Sequence, residues 1–571
     1  VTTTSDRSAG SRIRRTARRS GQKALKRLLR LPSPTTEYAV EEGLRIRMRD
    51  GVDLIADHYA PTDSRSVVGT LLVRGPYGRA FPFSTLYARL YAARGYHVVL
   101  QSVRGTFGSG GVFEPMANEV HDGADTVEWL REQPWFTGRF ATIGVSYLGF
   151  TQWALLMDPP PELAAAVITV GPHDLAASIW GTGAFKLTDC LGWADLVAHQ
   201  EDGRLRSLIW VAGSQRRVAR ATAALPLGDS ARALLGAGSP WYESWLRHHD
   251  PGDPFWEPYR LAAALDKVSV PVLLIGGWQD LFLEQTLEQY RHLRGRGVDV
   301  ALTVGPWTHP QLATTGAGRA ARESLEWLDA TLAADKPARP RVRICITGDR
   351  WVDLPDWPPS TSPQVLHLSP GGVLADSAPP EGAHPWRFTY DPASPTPAVG
   401  GPLLFAKGGY RDDSRLAGRA DVLSFTGDVL TSDLYVIGNP VVELSHAADI
   451  PHVDLFVRVS EVDARGRSHC VGDGYRRMIA TPEPNVVRIE LDAVAHRFRA
   501  GSRIRLLIAG GAHPRFNRNC GTDEPPITAQ RLMAATHSVF HGARGGSQLV
   551  LPTTAVRPSP DRVANPVGDS A

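Results

Sequence analysis

Residues 139–149 read RFATIGVSYLG. A short apolar run, Ala141–Val145, leads straight into Ser146, and a helical stretch begins at once with Tyr147. A serine so placed sits on a tight strand-to-helix turn. Its hydroxyl is exposed at the edge where the strand ends, and the neighbouring N–H groups belong to a helix N-terminus. Gly144, two residues earlier, leaves the backbone room to turn. The pattern departs from a strict G-x-S-x-G: Leu148 occupies the +2 place and the second glycine, Gly149, stands at +3. A plain helix N-cap is the competing reading of Ser146.

The same grammar extends on both sides. Leu44–Met48 and Asp53–Ala60 read as a hairpin around Asp50 and Gly51, Gly69–Val73 and Tyr96–Gln101 as buried strands, and Thr85–Arg94 and Val120–Glu132 as helices. It returns at Val270–Ile275 and Val298–Val304, with helices over Leu283–Leu293 and Arg322–Leu332. Continuous apolar strands alternating with helices predict an α/β class with a parallel sheet covered on both faces. Between these blocks, about residues 174–262, no strand is evident; the Ala-, Leu-, Arg- and Trp-rich spacing predicts a helical insertion over the C-terminal edge of the sheet. After Pro340, short strand-like segments recur with Gly, Pro and Asp turns from Arg341–Thr347 to Ser547–Leu551, which predicts an all-β sandwich or jelly roll.

A serine hydroxyl is a weak nucleophile until a base takes its proton, so a histidine and a carboxylate are required. In this strand order they follow the serine as acid and then histidine, each in a loop after a later strand. The loop GGWQDLF after Val270–Gly276 presents Asp280, and GPWTHP after Val298–Val304 presents His309. The competing readings are a helix N-cap for Asp280 and a partly solvated loop residue for His309. Acyl transfer also needs donors where the carbonyl oxygen becomes negative. The backbone N–H of Tyr147 is one. The loop RGPYGR after Gly69–Val73 lacks a run of glycines and offers instead the phenol of Tyr77, whose competing role is packing.

Composition fits this reading. Of 571 residues, 43% are hydrophobic and 21% charged, ordinary for a globular protein. The net charge of +3 is uneven: residues 1–30 hold ten Lys or Arg against one acid, leaving 52 basic against 58 acidic residues in the rest. The body carries no nucleic-acid surface, whereas the basic tail allows contact with an anionic surface. No run of 18 apolar residues occurs, so no transmembrane segment is expected. Cys190, Cys345, Cys470 and Cys520 form no CxxC pair, which argues against a disulfide framework or zinc site and is compatible with the cytoplasm. No metal or other cofactor is expected. RGTFGSGG (residues 104–111) lacks the Lys-Ser/Thr of a phosphate loop and reads as a wide turn. Asp122, Asp125 and Glu128 read as a solvated helix face.

Together, GVSYLG, RGPYGR, VRGTFGSGG, GGWQD and GPWTH, with DVLSFTG, VDLFVRVSEVDARGRSHCVGDGYRR and HPRFNRN further on, resemble the cocaine esterase-type hydrolases. These are grouped with Xaa-Pro dipeptidyl-peptidases and α-amino-acid ester hydrolases. The resemblance implies an α/β-hydrolase core with a helical cap insertion and a C-terminal all-β jelly-roll domain. The expected divisions are a basic extension over residues 1–36, a core over 37–173 and 263–338, a cap over 174–262, a β domain over 339–560 and a tail over 561–571. It implies Ser146, Asp280 and His309 as the triad, Tyr77 hydroxyl and Tyr147 N–H as the oxyanion hole, and a homodimer. It further points to an aromatic acyl pocket from Trp180, Trp193 and Phe282, although the tryptophans read equally as cap core.

The expected activity is a serine hydrolase cleaving carboxylic esters, with a small-molecule ester or amide as substrate. The alternatives are an Xaa-Pro dipeptidyl-peptidase or an α-amino-acid ester or amide hydrolase. The resemblance implies that members acting on α-amino acyl groups hold the ammonium with acidic residues, some just after the triad aspartate. Here those places are Leu281 and Phe282, and Asp174 alone matches one of the acids, so apolar side chains there speak against an ammonium. A reading of another class is a silent hydrolase core serving as scaffold, its β region binding carbohydrate or protein.

Overall fold

In the computed structural model, residues 12–14, 27, 29–332, 340–380, 384–405, 407–542 and 546–554 are described. Most of the basic extension and the whole C-terminal tail lie outside them. The apolar runs around Ser146 form the centre of an eleven-stranded sheet. Its strands are β1 (Arg12–Arg14), β2 (Tyr38–Arg47), β3 (Asp53–Pro61), β4 (Gly69–Gly75), β5 (Tyr96–Ser102), β6 (Phe140–Val145), β7 (Leu163–Thr169), β8 (Val272–Gln279), β9 (Val300–Thr308), β10 (Val342–Cys345) and β11 (Trp351–Leu354). The spatial order is β1-β2-β3-β5-β4-β6-β7-β8-β9-β10-β11. From β5 to β10 every pairing is parallel, and the antiparallel strands lie at the two edges. Strands β4, β5, β7 and β8 are buried along their whole length, as a sheet covered on both faces requires. Helices α1 (Glu119–Arg131) and α2 (Tyr147–Leu155) flank β6 in sequence.

The stretch Leu163–Thr169 was not foreseen as a strand; as LAAAVIT it has the small side chains of a helix former, and burial between β6 and β8 decides its state. A second correction concerns the boundary expected at residue 339. β10 pairs in parallel with β9, and β11 closes the same edge, so the first sheet runs through Leu354. A strand pattern reports extension and burial, not which sheet the strand joins.

Between β7 and β8 the chain is helical, as expected: α3 (Leu175–Trp180), α4 (Leu187–His199), α5 (Arg204–Ala223), α6 (Leu227–Leu235), α7 (Trp241–Arg247) and α8 (Ala262–Lys267). Trp193, Trp241 and Trp245 stack within it, with ring centroids 4.5–5.9 Å apart. After β8, α9 (Leu283–Gly295) and α10 (Ala317–Leu332) complete the helical layers. Residues 362–553 contribute thirteen strands, almost all antiparallel, around an apolar core that includes Leu368, Val457, Leu506 and Leu549. At its heart Arg458 is bound by both oxygens of Asp473, at 2.6 and 2.9 Å.

The carboxylates on α1 also depart from expectation. Asp122 and Asp125 are buried, not solvated, because Arg104 and Arg49 reach across to them at 2.7 Å. Glu128 is exposed and pairs with Arg131.

Candidate active site

Ser146 ends β6 with φ 59° and ψ −120°, a conformation costly for any residue with a side chain. Its N–H donates to Thr169 O at 2.9 Å, which fixes the turn to the neighbouring strand β7. The glycines around it follow from contact distances. A Cβ on Gly144 would lie 2.4 Å from Leu148 Cβ, so α2 folds back on the strand only because that atom is missing. A Cβ on Gly149 would lie 2.5 Å from Gly171 Cα. The glycine at +3 thus answers to the backbone that follows β7, and the +2 place is free to carry Leu148.

Asp280 follows β8 and His309 follows β9, two adjacent parallel strands. The Asp280 Oδ2 to His309 Nδ1 distance is 2.6 Å, and Asp280 Oδ1 accepts the Phe282 N–H at 2.7 Å. Asp280 therefore caps the turn into α9 and holds the imidazole at once. A carboxylate accepts only, so Nδ1 carries the proton and Nε2 is left as the basic nitrogen. Both residues are buried, and the Phe282 ring stands edge-on to the imidazole at 5.6 Å between centroids. The loop is also anchored from outside: Gln279 Nε2 donates to Val471 O of the β domain at 3.1 Å, and Trp278 Nε1 to Cys345 O of β10 at 2.6 Å.

Tyr77 and Ser146 line the same cavity, and the Ser146 side chain is among the groups that act on the phenol. Trp193 Nε1 donates to the Tyr77 oxygen at 3.2 Å, and the Phe83 ring stacks on the phenol at 5.1 Å. Burial pushes the phenol up to about 12, with the Trp193 and Ser146 side chains acting the other way. Tyr77 is thus a neutral donor at any ordinary pH. The Tyr147 side chain is fixed behind the turn: its hydroxyl accepts the Met116 N–H at 2.7 Å and donates to Glu119 Oε1 at 2.8 Å. Glu119 is in turn 3.0 Å from the buried Arg74 guanidinium at the end of β4. This network ties the two oxyanion candidates' strands together and had no sequence signal beyond ordinary charged residues.

A cavity of about 70 Å³ opens beside Ser146. The core lines it with Tyr77, Tyr147, Leu281 and Phe282, the cap with Ile179, Lys186, Asp189, Cys190, Trp193 and Trp245, and the β domain with Leu404. Trp193 and Phe282, two of the expected acyl-pocket residues, line it. Trp180 does not line it. On α3 its neighbours Ser178 and Ile179 face the cavity. The tryptophan is turned away and fully buried, its Nε1 donating to Trp245 O at 3.0 Å. Asp174 is also absent from the lining; it caps α3, accepting the Ala177 N–H at 2.8 Å. Lys186 and Asp189 are polar members of the wall that sequence reading passed over, since a lone Lys and Asp near a helix start read as solvated.

Comparisons with known proteins bear on the family and the fold. Residues 50–311 match the X-Pro dipeptidyl-peptidase (S15 family) and residues 334–550 the X-Pro dipeptidyl-peptidase C-terminal non-catalytic domain. The chain is 30% identical to the cocaine esterase of Rhodococcus sp., over 90% of this chain and 98% of that one. Among solved structures, an aminopeptidase from a marine sediment archaeon superposes with a TM-score of 0.78 at 25% identity, covering 92% of this chain and 98% of that one. An α-amino acid ester hydrolase does so at 0.77 and 24%, with the same coverage. This chain belongs to the X-Pro dipeptidyl-peptidase (S15) family of serine hydrolases that includes cocaine esterase.

Proposed function

We propose that the protein cleaves carboxylic esters of small molecules through an acyl-enzyme on Ser146. His309 Nε2 removes the serine proton as Oγ attacks the carbonyl and returns it to the leaving alcohol; water then repeats the sequence to release the acid. Asp280 holds the imidazole in the required tautomer and stabilises its positive charge. The Tyr77 hydroxyl and the Tyr147 N–H receive the carbonyl oxygen as it becomes negative. The observation that carries the reading is the 2.6 Å Asp280–His309 contact at the ends of the adjacent strands β8 and β9, in the same parallel sheet as β6, which ends at the strained Ser146. The cocaine esterase relationship favours an ester. Apolar Leu281 and Phe282 after Asp280, with Asp174 used as a helix cap, disfavour an α-ammonium substrate of the amino-peptidase kind.

Ser146→Ala should abolish release of 4-nitrophenol from 4-nitrophenyl acetate, and a fluorophosphonate probe should label wild-type protein once, at Ser146. Unchanged turnover in the alanine variant, or no labelling, would favour the scaffold reading.

We further assign the β domain to a jelly roll beginning after Leu354, and the cytoplasm as compartment. The four buried free thiols support a reducing environment. A homodimer is inferred from the family, with light scattering as its test, and the basic extension is assigned to an anionic surface.

A further inference from the structure

Within the largely apolar cavity beside Ser146, one wall is polar in an unusual way. Asp189, on α4, is buried at 4% exposure. Its Oδ1 accepts the Leu404 N–H at 2.9 Å, across the junction of cap and β domain. Its Oδ2 is buried and has no hydrogen-bonding partner among the described residues. The ammonium of Lys186, one helical turn earlier, lines the same cavity and donates to Leu281 O at 3.3 Å. Burial pushes the Asp189 carboxyl up and the Lys186 ammonium down, as expected for groups held in protein rather than water. A buried acceptor left unmatched costs stability, so such an atom is a candidate for satisfaction by a ligand.

We propose that Asp189 and Lys186 form a polar subsite of the acyl pocket that selects acyl groups bearing a hydroxyl, which donates to Asp189 Oδ2 and accepts from Lys186 Nζ. The inference rests on the ester-hydrolase reading. The charges decide the ligand class. An ammonium would satisfy Asp189 but face Lys186, and a carboxylate would satisfy Lys186 but face Asp189. A neutral hydroxyl has one donor and free lone pairs, and matches both. Apolar walls at Ile179, Trp193 and Phe282 suit a carbon frame beneath it, an aryl ring above all. Asp189 acts here as a specificity residue, with no part in the bond-making steps.

The test compares 4-nitrophenyl phenylacetate with its 3-hydroxy and 4-hydroxy forms and with the mandelate ester, which moves the hydroxyl to the α-carbon. 4-Nitrophenyl acetate, whose acyl group carries no hydroxyl, is the control. Wild-type protein should prefer at least one hydroxylated ester over its parent in kcat/KM by roughly tenfold to a hundredfold, the range of a charge-assisted hydrogen bond. Asp189→Asn keeps the oxygen that receives the Leu404 N–H and replaces Oδ2 by an NH₂ that donates. It should bring the preference, a ratio in which any general change of rate cancels, to within about threefold, with a thermal melt checking the fold. Should that variant not fold, the wild-type preference alone decides. No hydroxyl preference alongside normal acetate turnover overturns the subsite and leaves the esterase reading intact, as does a preference that survives Asp189→Asn. Absence of acetate turnover in wild-type protein overturns both.

Discussion

Removing the Tyr77 hydroxyl separates catalysis from structure. In Tyr77→Phe the ring keeps its stack on Phe83 at 5.1 Å, so packing changes little. Two things are lost: the donor beside Ser146 and the acceptor for the Trp193 indole N–H. The second is a neutral, half-buried hydrogen bond, worth about 1 kcal/mol, which in a chain of this length lowers the melting temperature by only about 1–2 °C. The first acts only once the carbonyl oxygen is negative, and one such donor contributes ~2.7–4 kcal/mol, or roughly 10²–10³ in kcat. With its phenol pushed up to about 12, wild-type Tyr77 stays protonated and adds no alkaline limb to the rate profile. The assay is nitrophenolate absorbance from 4-nitrophenyl acetate, with kcat and KM fitted separately, beside a thermal melt. The reasoning fails if kcat stays within about threefold of wild type, or if KM rises while kcat holds, which would make the phenol a ground-state contact.

Other expectations follow from the same geometry. Asp280→Asn retains the Phe282 cap through its carbonyl oxygen but turns an NH₂ toward Nδ1, forcing the proton onto Nε2; kcat should drop by about 10⁴ with the fold unchanged by circular dichroism. Gly149→Ala drives a methyl into Gly171 Cα at 2.5 Å, a backbone contact that does not give way, and should destabilise by ~1–3 kcal/mol in urea unfolding, whereas Leu148→Gly, restoring the strict motif, should bring no gain. Glu284 is pushed up to about 7 by burial and by the Asp492 carboxylate, against the Ala493 N–H and the Asn439 amide. A raised folded value means its contribution to stability is full below the ordinary 4.5 and is lost as pH rises through about 7. Glu284→Gln should flatten that part of the melting-temperature profile; an unchanged slope would remove Glu284 as its source.

The positions of the three proposed catalytic groups were legible because each stands where an apolar strand ends: Ser146 after β6, Asp280 after β8, His309 after β9. Runs of buried β-branched residues are read easily, and the residue closing each run falls at one sheet edge. What stayed hidden was relational. Leu163–Thr169 has alanines whose state is set by neighbours 100 residues away. Asp122 looked solvated because its partner, Arg104, lies on another element. The rotation of α3 that turns Trp180 away from Ser146 depends on how six residues dock, and Asp189 gains meaning only when Leu404 arrives from the far domain.

The pairing of β10 and β11 onto β9 bears on how the gene can be cut. A protein ending at residue 338, the expected end of the core, would bare the edge of the very strand that delivers His309. It would also strip Gln279 and Trp278 of their acceptors. Such a fragment should be sticky and inactive, and a modular exchange of β domains between relatives should succeed only when the crossover lies beyond Leu354.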